Sequence, residues 1–260
     1  MMRGLWTAAT GMTGQQTNLD VIANNLANVN TTGFKKSRAE FQDLLYQTHR
    51  HAGTETAAGV EIPVGIQVGM GTRPIAIQKM FTQGDYVRTG NQFDLAIEGE
   101  GFFRVIRNGE EYYTRDGSFK INSEGTIVTA DGDSLDPEFV VPSDAVEVAI
   151  DSGGNITALD QGGDELGAAR IAMVRFVNPG GLYAAGKNLF RPTGASGEPI
   201  EGNPGEDGYG TIAQGYIENS NVDVVEEMVG MIIAQRAYEI NSKAIQTSDE
   251  MLSIANNLKR

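Results

Sequence analysis

Apolar positions return every seven residues at both ends of this chain and alternate with polar ones through much of its middle. Near the N terminus Leu5, Met12, Leu19 and Leu26 form one row, and Ala8, Gln15, Ile22 and Val29 form a second row three places on. That is an a/d seam with one polar position, Gln15. Near the C terminus Val224, Met231, Tyr238, Ile245 and Leu252 lie seven apart without a break, with Gly230, Ala237, Ala244, Met251 and Leu258 on the adjoining row. Both stripes predict amphipathic helices. Gly11 and Gly14 each cost roughly 1 kcal/mol inside a helix, so the first helix needs neighbours in order to form. It is expected to end within 28–34, where Gly33 or an asparagine can take the left-handed C-terminal position. Asn221 or Asp223 is expected to cap the second. Two arrangements fit: a seam between the terminal helices, or ordinary amphipathic helices lying on a globular core.

The pentapeptide IANNL occurs on both stripes, at 22–26 and at 254–258. Its Ile and Leu stand four apart on one helix face. Paired asparagines are poor helix formers, so their amides are expected to bond other chains or water in a crowded assembly.

Between the stripes the period falls to two. Phe93, Leu95 and Ile97 alternate with polar residues, and turn pairs at Asn108-Gly109, Asp116-Gly117, Glu124-Gly125 and Asp131-Gly132 punctuate the chain after them. Asn-Gly and Asp-Gly between alternating runs predict hairpins. Further strands are predicted at 145–151, 155–160 and 169–177, and a Gly/Pro-rich loop at 178–210. Residues 46–70 fit neither period and read as an extended connector or long hairpin. The predicted fold class is α+β, in four parts: a helix at 1–34, a connector at 35–72, a β-rich domain at 73–213 and a helix at 214–260.

Glycine follows this division, with 27 of the 33 lying between residues 51 and 210. Charge follows it too. Five Lys/Arg face three Asp/Glu in 1–50 and four face seven in 211–260, so the middle holds a net −13 of the total −14. An acidic middle repels phosphate and argues against a nucleic-acid partner. There is no cysteine, which removes disulfides, thiolate chemistry and Cys-ligated zinc. No apolar run reaches the length of a membrane span. The first twenty residues lack a continuous apolar stretch, so no cleaved secretory signal is expected.

Candidate chemistry is sparse. His49 and His51 stand two apart in a polar stretch, and two ligands do not make a zinc site. DGDSLD at 131–136 has its glycine in the wrong place for a calcium loop. Glu226 and Glu227 are adjacent on a helix and point apart, and GEGFFR at 99–104 lacks the third glycine of a nucleotide loop. No catalytic residue, cofactor or metal site is predicted, and the chain is not expected to be an enzyme.

Three stretches carry a resemblance. LDVIANNLANVNTTGFKKSRAEFQDLL (19–45), GEGFFRV with YTRDGSFKINSEGTIVTADG (99–105 and 113–132), and the run from QGYIENSNVDVVEEMVGM to SIANNL (214–258) are similar to the N-terminal, central and C-terminal signatures of the flagellar rod and hook axial proteins. Within that family FQDLLYQT (41–48) and the stretch 65–97 favour the distal rod branch, with a proximal rod or hook subunit as the alternative. Outside the family, the alternative is a glycan-binding β domain or enzyme with helical ends.

The resemblance implies terminal helices forming an inner coiled-coil layer and a β-rich outer domain. Leu5, Met12, Leu19, Ile22, Leu26, Val224, Met231, Tyr238, Ile245 and Leu252 would be the self-assembly residues. Residues 46–70 would wedge between copies and stiffen a hollow torque-bearing shaft. Implied partners are further copies of the chain, proximal rod proteins below, hook protein or the hook junction above, the P-ring and L-ring bushing, and the flagellar type III export apparatus. The implied location is the basal body, from periplasm to outer membrane, without membrane insertion.

Overall fold

The computed structural model describes residues 2–53, 63–206 and 208–257. The chain divides into two compact units, each assembled from separated stretches of sequence. The first takes 1–27, 37–78 and 223–260; the second takes 28–36 and 79–222.

The first unit is built on two helices, α1 (Met2–Ala27) and α2 (Val224–Asn257), which pack against each other. Where sequence patterning carries the first helix to residue 34, α1 stops at Ala27 and a turn succeeds it. Gly33 does take a left-handed conformation (φ 67°), but outside the helix. Asp223 caps α2, its Oδ1 accepting from the backbone N–H of Val225 at 2.8 Å and of Glu226 at 3.1 Å. Three of the helix glycines, Gly11, Gly14 and Gly230, lie at close approaches, whereas Gly4 has open space around it. A Cβ on Gly11 would meet Asn241 Nδ2 of α2 at 3.0 Å, and one on Gly230 would touch Ile22 Cδ1 at 3.5 Å. Gly14 faces Phe41 of β1 (Ser37–Asp43), which itself packs on α1.

Two ribbons complete this unit. Strands β2 (Tyr46–Arg50) and β3 (Ile66–Gly69) pair antiparallel, Tyr46 opposite Gly69 and Thr48 opposite Gln67. The flanks of the expected 46–70 connector are therefore a hairpin; its middle, 54–62, lies outside the described residues. Strand β4 (Thr72–Lys79) returns to pair with β1.

The second unit holds the β core. Strands β5 (Tyr86–Arg88), β6 (Leu95–Glu98), β7 (Phe102–Arg107) and β8 (Glu110–Thr114) open it. The β7–β8 hairpin turns at Asn108-Gly109, both at positive φ (53° and 80°) as the sequence pair predicts. Asp116-Gly117 makes no such hairpin. Gly117 is a close approach instead, since a Cβ there would fall 1.6 Å from the carbonyl oxygen of Leu95. Of the predicted strands, Glu147–Ile150 and Asn155–Leu159 form with Glu165–Arg170 a three-stranded sheet. The 169–177 strand is displaced, as residues 171–172 lie outside any strand and separate Glu165–Arg170 from Met173–Arg175. The expected loop 178–210 contains strands Tyr183–Gly186, Leu189–Arg191 and Ile200–Gly202. Each is only three or four residues long, too short for its alternation to show between Gly and Pro. Leu95, Ile97, Phe103, Val105, Leu135 and Met173 fill the main core.

The stretches adjoining the two helices meet in this second unit around a buried ion pair. Lys35 Nζ donates to Glu218 Oε1 at 2.5 Å and to the Thr82 carbonyl at 2.8 Å, and neither charged side chain is solvent-exposed. Glu218 also accepts from the Gly84 amide at 2.9 Å and faces Arg115 Nη1 at 3.5 Å. Burial pulls the Lys35 pKa down, and the Glu218 carboxylate works against that pull. Beside the pair, Asn221 accepts from the Lys36 amide at 2.7 Å and donates to the Met80 and Thr82 carbonyls. Gly33 donates its N–H to the Glu218 carbonyl at 2.8 Å. A Cβ at Gly33 would sit 2.6 Å from the Asp116 nitrogen, so only glycine fits.

Removing one partner strands the other charge. Glu218→Gln should lower stability by about 3–5 kcal/mol, read as a lower urea midpoint for β-unit unfolding. An unchanged midpoint would mean that the ion pair contributes nothing to the fold.

Candidate functional site

Each terminal helix has two faces that can be assigned separately. On α1 the inward face carries Ala8, Val21, Ile22 and Asn25, all buried. Leu5, Met12, Leu19 and Leu26 are half-buried beside them. On α2 the buried positions are Glu227 and Ala234, and the same face continues through the half-buried Met231, Asn241, Ile245, Ser248 and Leu252. Val224 and Tyr238, the other members of the predicted C-terminal row, are exposed at 39% and 40%. All ten expected assembly residues are thus more than half covered within the chain itself, Val224 and Tyr238 the least.

Asn25 explains the first copy of IANNL. It is 1% exposed. Its Nδ2 donates to the Ser37 carbonyl at 2.8 Å and to Glu227 Oε2 at 3.2 Å, while its Oδ1 accepts from the Ser37 N–H at 2.9 Å. The expectation that this amide bonds other chains or water is overturned. It joins α1, β1 and α2 of one unit, because a buried carboxylate and the backbone of an incoming strand both need a partner there. In the second copy Ile254, Asn256 and Asn257 are exposed, and Leu258 lies outside the described residues.

The outward face of α2 is what sequence patterning missed. Val225, Met228, Val229, Ile232, Ile233 and Ile240 are all more than half exposed, Val225 reaching 72%. The signal lay in the run VVEEMVGMII, which is apolar around most of the helix circumference and not in one stripe only. A helix apolar all round is a helix that gets covered. Trp6, the single tryptophan, is 62% exposed on α1. The ribbons add Ile66, Val68, Met70, Ile75 and Ile77, exposed at alternate positions. Large apolar side chains exposed in this number are the kind of surface by which proteins associate.

His49 receives a hydrogen bond from Arg3 at 3.0 Å. Among the described residues no three His, Cys, Asp or Glu side chains cluster to hold a metal ion. Asp131 and Asp133 instead pair with Arg107. No described helix is long and apolar enough to cross a membrane.

Comparison with known proteins matches three family models along the chain. Residues 5–35 match "Flagella basal body rod protein", 96–158 match "Flagellar hook protein FlgE/F/G D1 domain", and 213–258 match "Flagellar basal body rod FlgEFG protein C-terminal". The flagellar basal-body rod protein FlgG of Borreliella burgdorferi is 53% identical over 264 residues, covering 100% of both chains. The chain belongs to the flagellar basal-body rod proteins. Two relatives from Caulobacter vibrioides separate its branches: FlgG is 44% identical over 99% of this chain and all of the relative, FlgF 36% over 90% and 88%. The two terminal matches take in nearly all of α1 and the whole of α2, so the helices with their outward apolar faces lie within the family's matched segments. The relatives are structural proteins of the rod, and the basal body is where this family resides.

Two substitutions separate the faces. Asn25→Ala should cost about 1–3 kcal/mol, the penalty for buried groups left unsatisfied, and lower the urea midpoint of the helix unit. Ile232→Asp, on the outward face, should leave that midpoint unchanged. Equal destabilisation by the two would show that the outward face is already covered within the subunit.

Proposed function

We propose that the chain is the structural subunit of the flagellar distal rod, a hollow helical drive shaft that carries motor torque to the hook and serves as an export channel. One observation carries this reading: α2 buries one face against α1 and leaves a second apolar face uncovered, in a chain whose relatives are rod proteins. A subunit that covers only half of its helical surface is completed by copies of itself. Coiled-coil packing of the helix units of many copies would form the wall of the tube. Leu5, Met12, Leu19, Ile22, Leu26, Met231, Ile245 and Leu252 would set the helix pair, while Val224 and Tyr238 would extend the contact outward. The role is mechanical, not catalytic.

The remaining partners are set by position on the shaft. Proximal rod proteins would lie below and hook protein or the hook junction above, with the P and L rings as bushing. The subunit would leave the cytoplasm through the flagellar type III apparatus, and the assembled rod would span the periplasm to the outer membrane. Residues 46–70 would act as a brace. Their β2–β3 flanks expose Ile66 and Val68, which would bind a neighbouring copy and prevent the sliding that bending requires.

Cells lacking the chain should be non-motile, with basal bodies that stop short of a full rod; complete basal bodies in such cells would overturn the reading. Deleting residues 46–70 should give a tube of similar diameter that bends or supercoils under electron cryomicroscopy. A straight tube of unchanged stiffness would remove the bracing role.

A further inference from the structure

Trp6 stands between two hollows. One is lined by Trp6, Ala9, Thr10, Thr13, Arg73 and Pro74 and holds about 300 Å³; the other, of about 270 Å³, is lined by Arg3, Trp6, Thr7, Gly69 and Met70. Both are floored by helix α1 and walled by the β3–β4 segment of the same unit. A largely exposed tryptophan between apolar hollows is unusual on a subunit surface, and tryptophan is the residue type most enriched at interface hot spots. The hollows are small, and suit aliphatic side chains.

We propose that these hollows receive the outward face of α2 from a second copy of the chain, with Val225, Val229 and Ile232 as knobs on either side of Trp6. This inference rests on the rod reading, which supplies the stacked copies. It adds which surfaces meet.

Three observations select this pairing. First, the knobs are spaced i, i+4 and i+7 and stand 72%, 51% and 55% exposed, the pattern by which a helix seats in an apolar groove. Second, the charged groups beside the two faces already have hydrogen-bond partners within the subunit. With the Gln42 amide turned so that its oxygen faces Arg73, the guanidinium donates to it at 2.6 Å; Arg3 is bonded to His49, and Arg236 beside the knob face is paired with Glu239 at 3.1 Å. Third, the contact joins two different surfaces. Pairing α2 with α2 would be isologous and would close at a dimer. A knob face on one copy and a hole face on the next leave one of each free, so addition continues as an open helix.

The chain has no cysteine, so introduced cysteines report on this contact alone. Thr10→Cys and Ile232→Cys, placed on separate copies and co-expressed, should give a mixed disulfide dimer in isolated basal bodies on mild oxidation. The control pair Gln16→Cys with Ile232→Cys should give none, because a disulfide requires the two β-carbons within bonding reach. In tubes assembled from the unmodified chain, where Trp6 is the sole tryptophan, its emission should move to shorter wavelength and its quenching by acrylamide should be lost. That second readout decides the matter if the cysteine variants do not assemble.

Tubes in which Trp6 keeps the emission and quenching of the free subunit would overturn the contact and leave the rod reading standing. Homodimers of Ile232→Cys as the main product would also overturn it, in favour of α2 pairing with α2. Failure of the unmodified chain to enter any rod in cells would overturn the rod reading, and this inference with it.

Discussion

A single buried ammonium group organises the β unit. Lys35 lies just beyond the first helix and Glu218 just before the second, separated by 183 positions in sequence. Their ion pair closes the chain on itself at a point where water is excluded. Pairing two such charges repays their desolvation only when geometry and additional hydrogen bonds are good. Here the Thr82 carbonyl, the Gly84 amide and Arg115 supply those bonds. An apolar pair of the same volume would tolerate slippage between the two segments, whereas an ion pair with named hydrogen-bond partners fixes their register. Asn221 and Gly33 act on the same two segments through the backbone.

A second buried polar group does the equivalent work in the helix unit. Asn25 satisfies the backbone of β1 and the Glu227 carboxylate at once, so the strand, α1 and α2 have one permitted alignment. Apolar packing alone would be a weaker guide there, because the facing α2 positions are small or polar: Ala234, Asn241 and Ser248. Small residues allow the helices to come close, and the buried amide specifies where. The glycines at 11 and 230 belong to this design. Each loses roughly 1 kcal/mol of helix propensity at a place where a side chain would meet the partner helix.

The sequence shows the periods and the local signals but not the partners. The heptad rows, the Asp223 cap and the Asn108-Gly109 hairpin are readable because each depends on residues only a few positions apart. The three short strands within 178–210 are not, since three residues give too little alternation to stand out from turn residues. Lys35 reads as one more surface lysine and Asn25 as one more poor helix former. Their burial depends on residues 183 and 202 positions away, which no local pattern encodes. The candidate face is half legible. The seven-residue row marks the side of α2 that packs on its own α1, and a search for one apolar stripe per helix passes over the outward side.

That second face sets the subunit's physical character. Residues such as Val225 and Ile233 left in water favour any state that covers them, so neighbours that covered them would stabilise the helix unit by mass action. The β unit carries its own core and its own ion pair, and needs no neighbour to hold its register. The chain therefore divides its tasks by location. Polar groups buried within each unit define the shape of one subunit, and apolar groups left uncovered on the helices and ribbons would define how subunits stack. A drive shaft requires both, because torque passes between copies only as well as each copy resists deformation.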